Sequence, residues 1–222
     1  MVPNSSRERY CRWQLEELLS RHPGLRIVPS GGDTLTLRGD IGFRLQGPRH
    51  RPIEDTYTVE LQIPSRFPEE LPTAKETGGR LPASFHKFEG GSLCVGAPTA
   101  LRVKLAQSPT LPTYVDEFVV PYLFGYSYFV EHGEMPFGEL AHGRTGILDY
   151  LAELFGSEQS EQAYEFLHLA SLKRRDANKH VCPCRSGRRL GRCHNGWVND
   201  LRDRLGRSWF RGEYSRVIKQ HS

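Results

Sequence analysis

Near its C-terminus the chain runs Cys182-Pro-Cys184-Arg-Ser-Gly-Arg-Arg-Leu-Gly-Arg-Cys193-His194, and no other stretch limits the fold so tightly. Three thiols and an imidazole in one short segment supply four ligands, the set that a structural, tetrahedral Zn²⁺ site needs. Gly187 and Gly191 allow the segment to wrap around an ion. The competing use of cysteine is a disulfide framework. Against it stand the odd count of five cysteines and an N-terminus, Met-Val-Pro-Asn-Ser-Ser-Arg-Glu-Arg, without an apolar export signal. The expected location is therefore cytoplasmic. With no run of eighteen apolar residues, no membrane span is expected either.

Charge divides the chain close to this cluster. The net charge of +4 hides +10 over residues 171–222, where 14 Lys and Arg face 4 Asp and Glu, and −6 over residues 1–170. Two domains are expected on that basis: 1–170, and a basic tail from 171 to 222. Charged residues at 25% and hydrophobic ones at 37% leave the first domain enough apolar side chain for a core.

Within 1–170, Ser5 to Ser20 carries a helical stripe of Tyr10, Trp13, Leu15, Leu18 and Leu19, ended by His22-Pro23-Gly24. Cys11, near its start, is expected to be a small buried side chain. Leu25–Val28 reads as a strand. Leu35 to Leu45, alternating around Gly39-Asp40, reads as a hairpin. Gly47–Asp55 reads as a polar loop and Tyr57–Ile63 as a strand with Tyr57, Val59, Leu61 and Ile63 on one face. Phe67-Pro-Glu-Glu-Leu-Pro72 is a rigid connector, since proline fixes its own φ and disfavours helix before it. A short strand over Thr73–Thr77 follows, then a long loop from Gly78 to Gly96. Thr113–Phe129 reads as a buried helix that kinks or divides at Pro121. Helices are also expected over Ile147–Phe155, Glu158–Leu172 and Trp197–Gln220. The Gly-rich stretch from His132 to Gly146, with His132 and His142, reads as a connecting loop. The order of elements gives an α+β fold.

The long loop contains His86-Lys-Phe-Glu-Gly-Gly-Ser-Leu-Cys94. A cysteine behind two glycines and a serine can be exposed for nucleophilic attack, with backbone N–H groups near Gly91 to stabilise an oxyanion. His86 could lower the thiol pKa or take a proton from an attacking amine. Several pieces together resemble a ubiquitin-conjugating enzyme: Phe67-Pro68, Leu71-Pro72, His86, Gly91-Ser92-Leu93-Cys94, and Ser108-Pro109-Thr110-Leu111 before the long helix. The resemblance covers roughly residues 5–130. It implies the ubiquitin-conjugating fold, with an N-terminal helix, a strand meander, a cysteine loop and C-terminal helices. It also implies that Cys94 forms a thioester with a protein C-terminus and passes the acyl group to an amine. The Pro and Asn that follow the histidine in eukaryotic members are Lys87 and Phe88 here, and Gln107 stands in place of a tryptophan. Those departures resemble the bacterial branch found beside ubiquitin-like pathways and in antiphage (CBASS-type) operons. The acyl donor implied is then a ubiquitin-like protein or the C-terminus of a nucleotidyltransferase, with a separate adenylating enzyme as a partner.

The Cys-x-Cys…Cys-His spacing is similar to the SEC-C motif, which implies that Cys182, Cys184, Cys193 and His194 hold structural zinc. The surrounding Lys and Arg residues make nucleic acid or an acidic protein a candidate partner of the tail. The alternative to a transferase is a ubiquitin-conjugating-like binding module without catalysis, whose zinc-bound basic tail recognises a protein or nucleic acid.

Overall fold

The computed structural model describes residues 6–48, 50–136, 150–152, 154–155, 157 and 159–219. The chain divides into two compact units, Met1–Glu139 and Leu140–Ser222. It is a mixed α+β protein with a four-stranded antiparallel sheet and several helices.

The first unit begins with α1 (Ser6–Arg12) and α2 (Leu15–Arg21). The single helix expected here is broken at Gln14, whose φ is +54. The break lets Trp13 leave the helical stripe and turn fully into the core, where its Nε1–H donates to the Phe67 carbonyl at 3.2 Å. Its own carbonyl accepts the amide of Leu111 at 2.9 Å. Cys11 is exposed on α1, contrary to the expectation of burial. With the stripe redirected at Trp13, α1 buries none of its residues.

Strands β1 (Gly24–Val28), β2 (Leu35–Leu45), β3 (Ile53–Ile63) and β4 (Thr73–Glu76) pair in sequence order. The pairing sets Leu35 against Ile63, Leu37 against Leu61 and Ile41 against Tyr57, so one face of the sheet becomes the core. The hairpin expected at Gly39-Asp40 is instead the middle of one long strand. Gly39, at φ +137, meets the backbone of β1 there. A Cβ on it would lie 2.1 Å from the Gly24 carbonyl oxygen, so the glycine serves close strand approach and not a turn. Strand β3 also starts earlier than its alternation suggested, because Ile53 and Asp55 pair with Leu45 and Phe43.

After the long loop come α3 (Pro98–Gln107), which lacks a periodic apolar signal, and then α4 (Leu111–Tyr114), a π-helical turn (Val115–Val119) and α5 (Val120–His132). Pro121 lies in the first turn of α5, directly after the π turn, and that turn is the irregularity expected of it. Helix α5 packs on β2 and β3 through Phe124, and Tyr57 and Ser127 share a 2.7 Å hydrogen bond.

The second unit comprises α6 (Ser160–Ser171), α7 (Arg174–Ala177), the cysteine segment, α8 (Asn195–Leu205) and α9 (Arg207–Lys219). Helix α6 packs against α8 and α9 through Phe166, Leu167, Val198, Leu201, Phe210 and Val217. The boundary drawn at 170 from charge falls in the last turn of α6, because charge counts read the surface and not the packing face. The expected helix over Trp197–Gln220 is two helices that meet at Gly206. Of the stretch expected as a helix from Ile147 to Phe155, residues 150–152 and 154 are helical, and 147–149 and 153 lie outside the described residues, as does the part of the Gly-rich loop containing His142.

Candidate functional site

The loop from Gly78 to Gly96 is held at both ends. Near its start, the carboxylate of Glu76 accepts the amides of Arg80 at 3.3 Å and Leu81 at 3.2 Å. Arg80 forks onto Asp55 at 2.6 and 2.9 Å and lies over the Tyr57 ring. This pairing holds the Asp55 carboxyl down at about 2.

Further along, His86–Phe88 and Ser92–Cys94 form a minimal two-stranded ribbon. Cys94 N–H donates to the His86 carbonyl at 2.8 Å, Phe88 N–H donates to the Ser92 carbonyl at 2.9 Å, and Lys87 stands opposite Leu93. The turn closes at Gly91, with φ +76 and open space where a side chain would stand. Leu93 N–H donates to Ala74 at the edge of β4 and its side chain is buried, which anchors the ribbon to the sheet. Alternation along the ribbon turns Cys94 to the opposite side from Leu93, and its thiol is half-buried.

The structure thus brings His86 and Cys94 together across the ribbon through their backbones. His86 itself has φ +39, a conformation uncommon outside glycine. Burial pushes the Cys94 thiol above its ordinary value, and a hydrogen bond from the backbone of Gly96 pulls partly the other way. At neutral pH the free protein therefore carries Cys94 mainly as the thiol. The N–H groups of Gly91, Leu93 and Cys94 are all engaged, Gly91 with the Phe88 carbonyl at 2.8 Å. Of the backbone donors expected near Gly91 for an oxyanion, these three are therefore occupied. Among the described residues of the ribbon, Ser92 keeps both its N–H and its hydroxyl without a partner in the protein.

Tyr122, from α5, had no distinguishing signal in the sequence, where it is one aromatic of the helix stripe. Its hydroxyl donates to the Phe85 carbonyl at 2.8 Å and also lies 3.2 Å from the His86 carbonyl. Burial, and then the nearby Cys94 and Glu76, raise its pKa. Phe85 rests on Tyr122, Tyr126 and Phe129, so the cysteine loop lies along α5.

In the second unit Cys182, Cys184, Cys193 and His194 converge, with all four candidate ligand atoms within 4.8 Å of one another. His194 Nδ1 lies 3.2 Å from Cys182 Sγ and 3.3 Å from Cys193 Sγ; Cys184 and Cys193 sulfurs are 3.5 Å apart. A tetrahedron with arms of about 2.3 Å to sulfur and about 2.0 Å to nitrogen has edges of roughly 3.5–3.8 Å, so this cluster can hold a metal ion after small adjustments. Backbone bonds preform it: Cys182 N–H to the Arg188 carbonyl at 2.8 Å and Cys193 N–H to that of Leu190 at 3.0 Å. The His194 ring is packed against Phe166 and Trp197. Burial raises the Cys182 thiol to about 12; at Cys184 burial is outweighed by hydrogen bonds with Ser186 and then with Cys182 and Cys193, which hold the thiol down at about 6. Ser186, whose hydroxyl also stands 3.4 Å from Cys193 Sγ, was not singled out by the sequence pattern.

Among the described residues, no helix is long and apolar enough to cross a membrane. Comparison of the chain with protein-family models, curated proteins and solved structures gives no match.

Proposed function

We propose that the chain is a cysteine-dependent acyl transferase of ubiquitin-conjugating type. Cys94 Sγ attacks the activated C-terminal carbonyl of a protein donor, the donor's leaving group departs, and a thioester forms. An amine then attacks that thioester, the carbon–sulfur bond breaks, and Cys94 returns as the thiol. The observation that carries this reading is the ribbon itself. A half-buried cysteine stands on a two-stranded turn whose backbone is pinned to the sheet edge by Leu93 and lies beside α5. Ser92, with a free hydroxyl and N–H two residues away on the same side of the ribbon, is the available oxyanion donor. The donor class is a ubiquitin-like protein or a nucleotidyltransferase C-terminus, activated by a separate adenylating enzyme, and the setting is a bacterial ubiquitin-like or antiphage pathway. Zinc in the Cys182–Cys184–Cys193–His194 cluster, of SEC-C type, staples the second unit and takes no part in acyl transfer.

One observation favours the non-catalytic binding module instead: the Cys94 thiol is raised, not lowered, and the neighbouring amides are already bonded. The two readings separate in one experiment. Zinc-loaded protein is incubated with ATP, an adenylating enzyme and candidate donors encoded beside the chain, then run on non-reducing gels. A thiol-sensitive adduct that disappears in Cys94→Ala is expected. Absence of any adduct from every donor, with the same protein retaining partner binding, selects the binding module.

A further inference from the structure

The basic residues of the second unit are not equivalent. Arg174 pairs with Asp203, Arg185 with Glu165, Arg204 with Asp200 and Arg216 with Glu213. These contacts occupy much of the unit's described acid. Arg188, Arg189 and Arg192 are exposed, and among the described residues none has a carboxylate within ion-pair distance.

These three arginines are gathered by the backbone of the cysteine segment. Val181 and Arg189 face each other across a bridge, Cys182 N–H donates to the Arg188 carbonyl, and Leu190 N–H donates to the carbonyl of His180. Gly191 N–H reaches the Asn178 carbonyl at 3.2 Å, which ties the turn bearing Arg192 to the start of the segment. The result is an exposed ribbon edge: one strand and the turn after it carry the three guanidinium groups without internal carboxylate partners, and the other strand carries His180 and Val181, both exposed, Val181 at 64%.

We infer that this edge binds the phosphodiester backbone of a nucleic acid. Planar guanidinium groups fork onto phosphate oxygens, and cations without internal partners gain most from releasing a polyanion's counterions. An exposed imidazole and an apolar side chain on the other strand suit base faces better than they suit rows of carboxylates. The inference does not depend on the chemistry of Cys94.

The test uses the full-length, zinc-loaded protein and fluorescence anisotropy with labelled single-stranded DNA, single-stranded RNA and duplex DNA of equal length, titrated with salt from about 50 mM upward. Binding is expected to weaken with salt. Replacing Arg188, Arg189 and Arg192 together by Gln should reduce affinity about tenfold or more and lower the salt slope by about 2. Replacing Arg7, Arg12 and Arg44 by Gln removes the same charge from the first unit and should leave affinity within about twofold. Zinc content and far-ultraviolet dichroism confirm that both variants fold. Lack of binding to all three nucleic acids at the lowest salt overturns the inference. So does equal loss in the two triple variants, or a triple Arg188/189/192 variant that binds like the wild type. Displacement of the oligonucleotide by polyglutamate at matched charge would assign the edge to an acidic protein and overturn it as well.

Discussion

Cys94 and Tyr122 meet at one atom: the carbonyl oxygen of His86 accepts the Cys94 amide at 2.8 Å and lies 3.2 Å from the Tyr122 hydroxyl. The position of the thiol therefore depends on a helix residue 28 positions further along the chain. Through Tyr122, α5 sets the height of the ribbon over the sheet. Tyr122→Phe removes the hydroxyl and leaves the ring packing. A loss of about 1 kcal/mol from the first unit is expected, as for one partly buried hydrogen bond. Hydrogen-exchange protection of the Cys94 amide should fall with it. Unchanged protection at Cys94 would mean that the ribbon is held by Leu93 and the sheet edge alone.

The protonation of Cys94 follows from burial, with a hydrogen bond from the Gly96 backbone as the opposing influence. In a Cys11→Ser background with zinc bound, the rate of Cys94 alkylation should climb with pH to a midpoint above the ordinary free-thiol value of about 8.5. A midpoint below neutrality in the wild type, moved upward by His86→Ala, would establish a thiolate–imidazolium pair and refute this account.

Ser92 gives the proposed transfer its most direct chemical test. Removing one oxyanion donor costs on the order of a hundredfold in rate where that donor is the main one. Ser92→Ala retains the backbone N–H, so a smaller loss, roughly tenfold in thioester formation, is expected with no change in thermal stability. An equal rate would leave the Ser92 amide, or no donor at all, to hold the oxyanion.

How much of this could be read from residues alone depended on whether the signal was local. The alternation of Tyr57, Val59, Leu61 and Ile63 identified a strand because one face of it is buried, and the cysteine cluster was legible because metal ligands must converge. The break at Gln14 was hidden: it comes from the demand of Trp13 for the Phe67 carbonyl, 54 residues away. Gly39 looked like a turn for a similar reason, since nothing nearby reveals that β1 passes within contact of its Cα. Tyr122 is one aromatic among many until the fold places a carbonyl against its hydroxyl. Helix α3 has no apolar periodicity to detect, and among its described side chains Leu101 and Leu105 are the buried ones.

Asp55 sets the acid limit of the first unit. Its carboxyl is held near 2 against an ordinary 3.8, by Arg80 first, with burial opposing and Ser127 adding to the effect. A depressed carboxyl contributes stability above its unfolded value and loses it as pH falls through the folded one. The shift corresponds to about 2 kcal/mol, and the solvent exposure of Arg80 trims that to about 1–2 kcal/mol. Asp55→Asn should therefore be less stable than the wild type at neutral pH. The gap should close as pH drops from about 4 toward 2 in urea titrations. A gap that stays constant over that range would show that the amide, not the charge, is responsible.

On the proposed zinc reading, the cysteine cluster makes the second unit dependent on its ion. Structural zinc contributes its binding energy directly to folding, so a chelator should unfold α8 and α9 while the sheet unit remains intact. Mass spectrometry under native conditions should find one ion per chain, and Cys193→Ser should lose it. Retention of full helicity after chelation would mean that the apolar contacts of Phe166, Val198 and Phe210 suffice without metal.

Those contacts are reinforced by Arg202, a buried cation with no carboxylate at ion-pair distance among the described residues. Its Nε–H donates to the Ala170 carbonyl at 3.0 Å, its Nη2 donates to the carbonyls of Leu172 at 3.1 Å and Leu169, and its Nη1 donates to Asn199 at 2.9 Å. The carbonyls belong to the last turn of α6 and the residue after it, where a helix leaves acceptors unsatisfied and carries partial negative charge. Burial, with Arg174 and Arg207 nearby, lowers the Arg202 pKa, so the guanidinium remains charged through these carbonyls rather than through a counter-ion. Arg202→Met preserves most of the volume and removes every donor. Three buried carbonyls lose their main partner, and a loss of roughly 3 kcal/mol from the second unit is expected, with Arg202→Lys recovering only part because one ammonium cannot span all three. Denaturation followed by the fluorescence of Trp197 and Trp209 in a Trp13→Phe background measures it. A loss below about 0.5 kcal/mol would mean that water replaces the guanidinium at the end of α6.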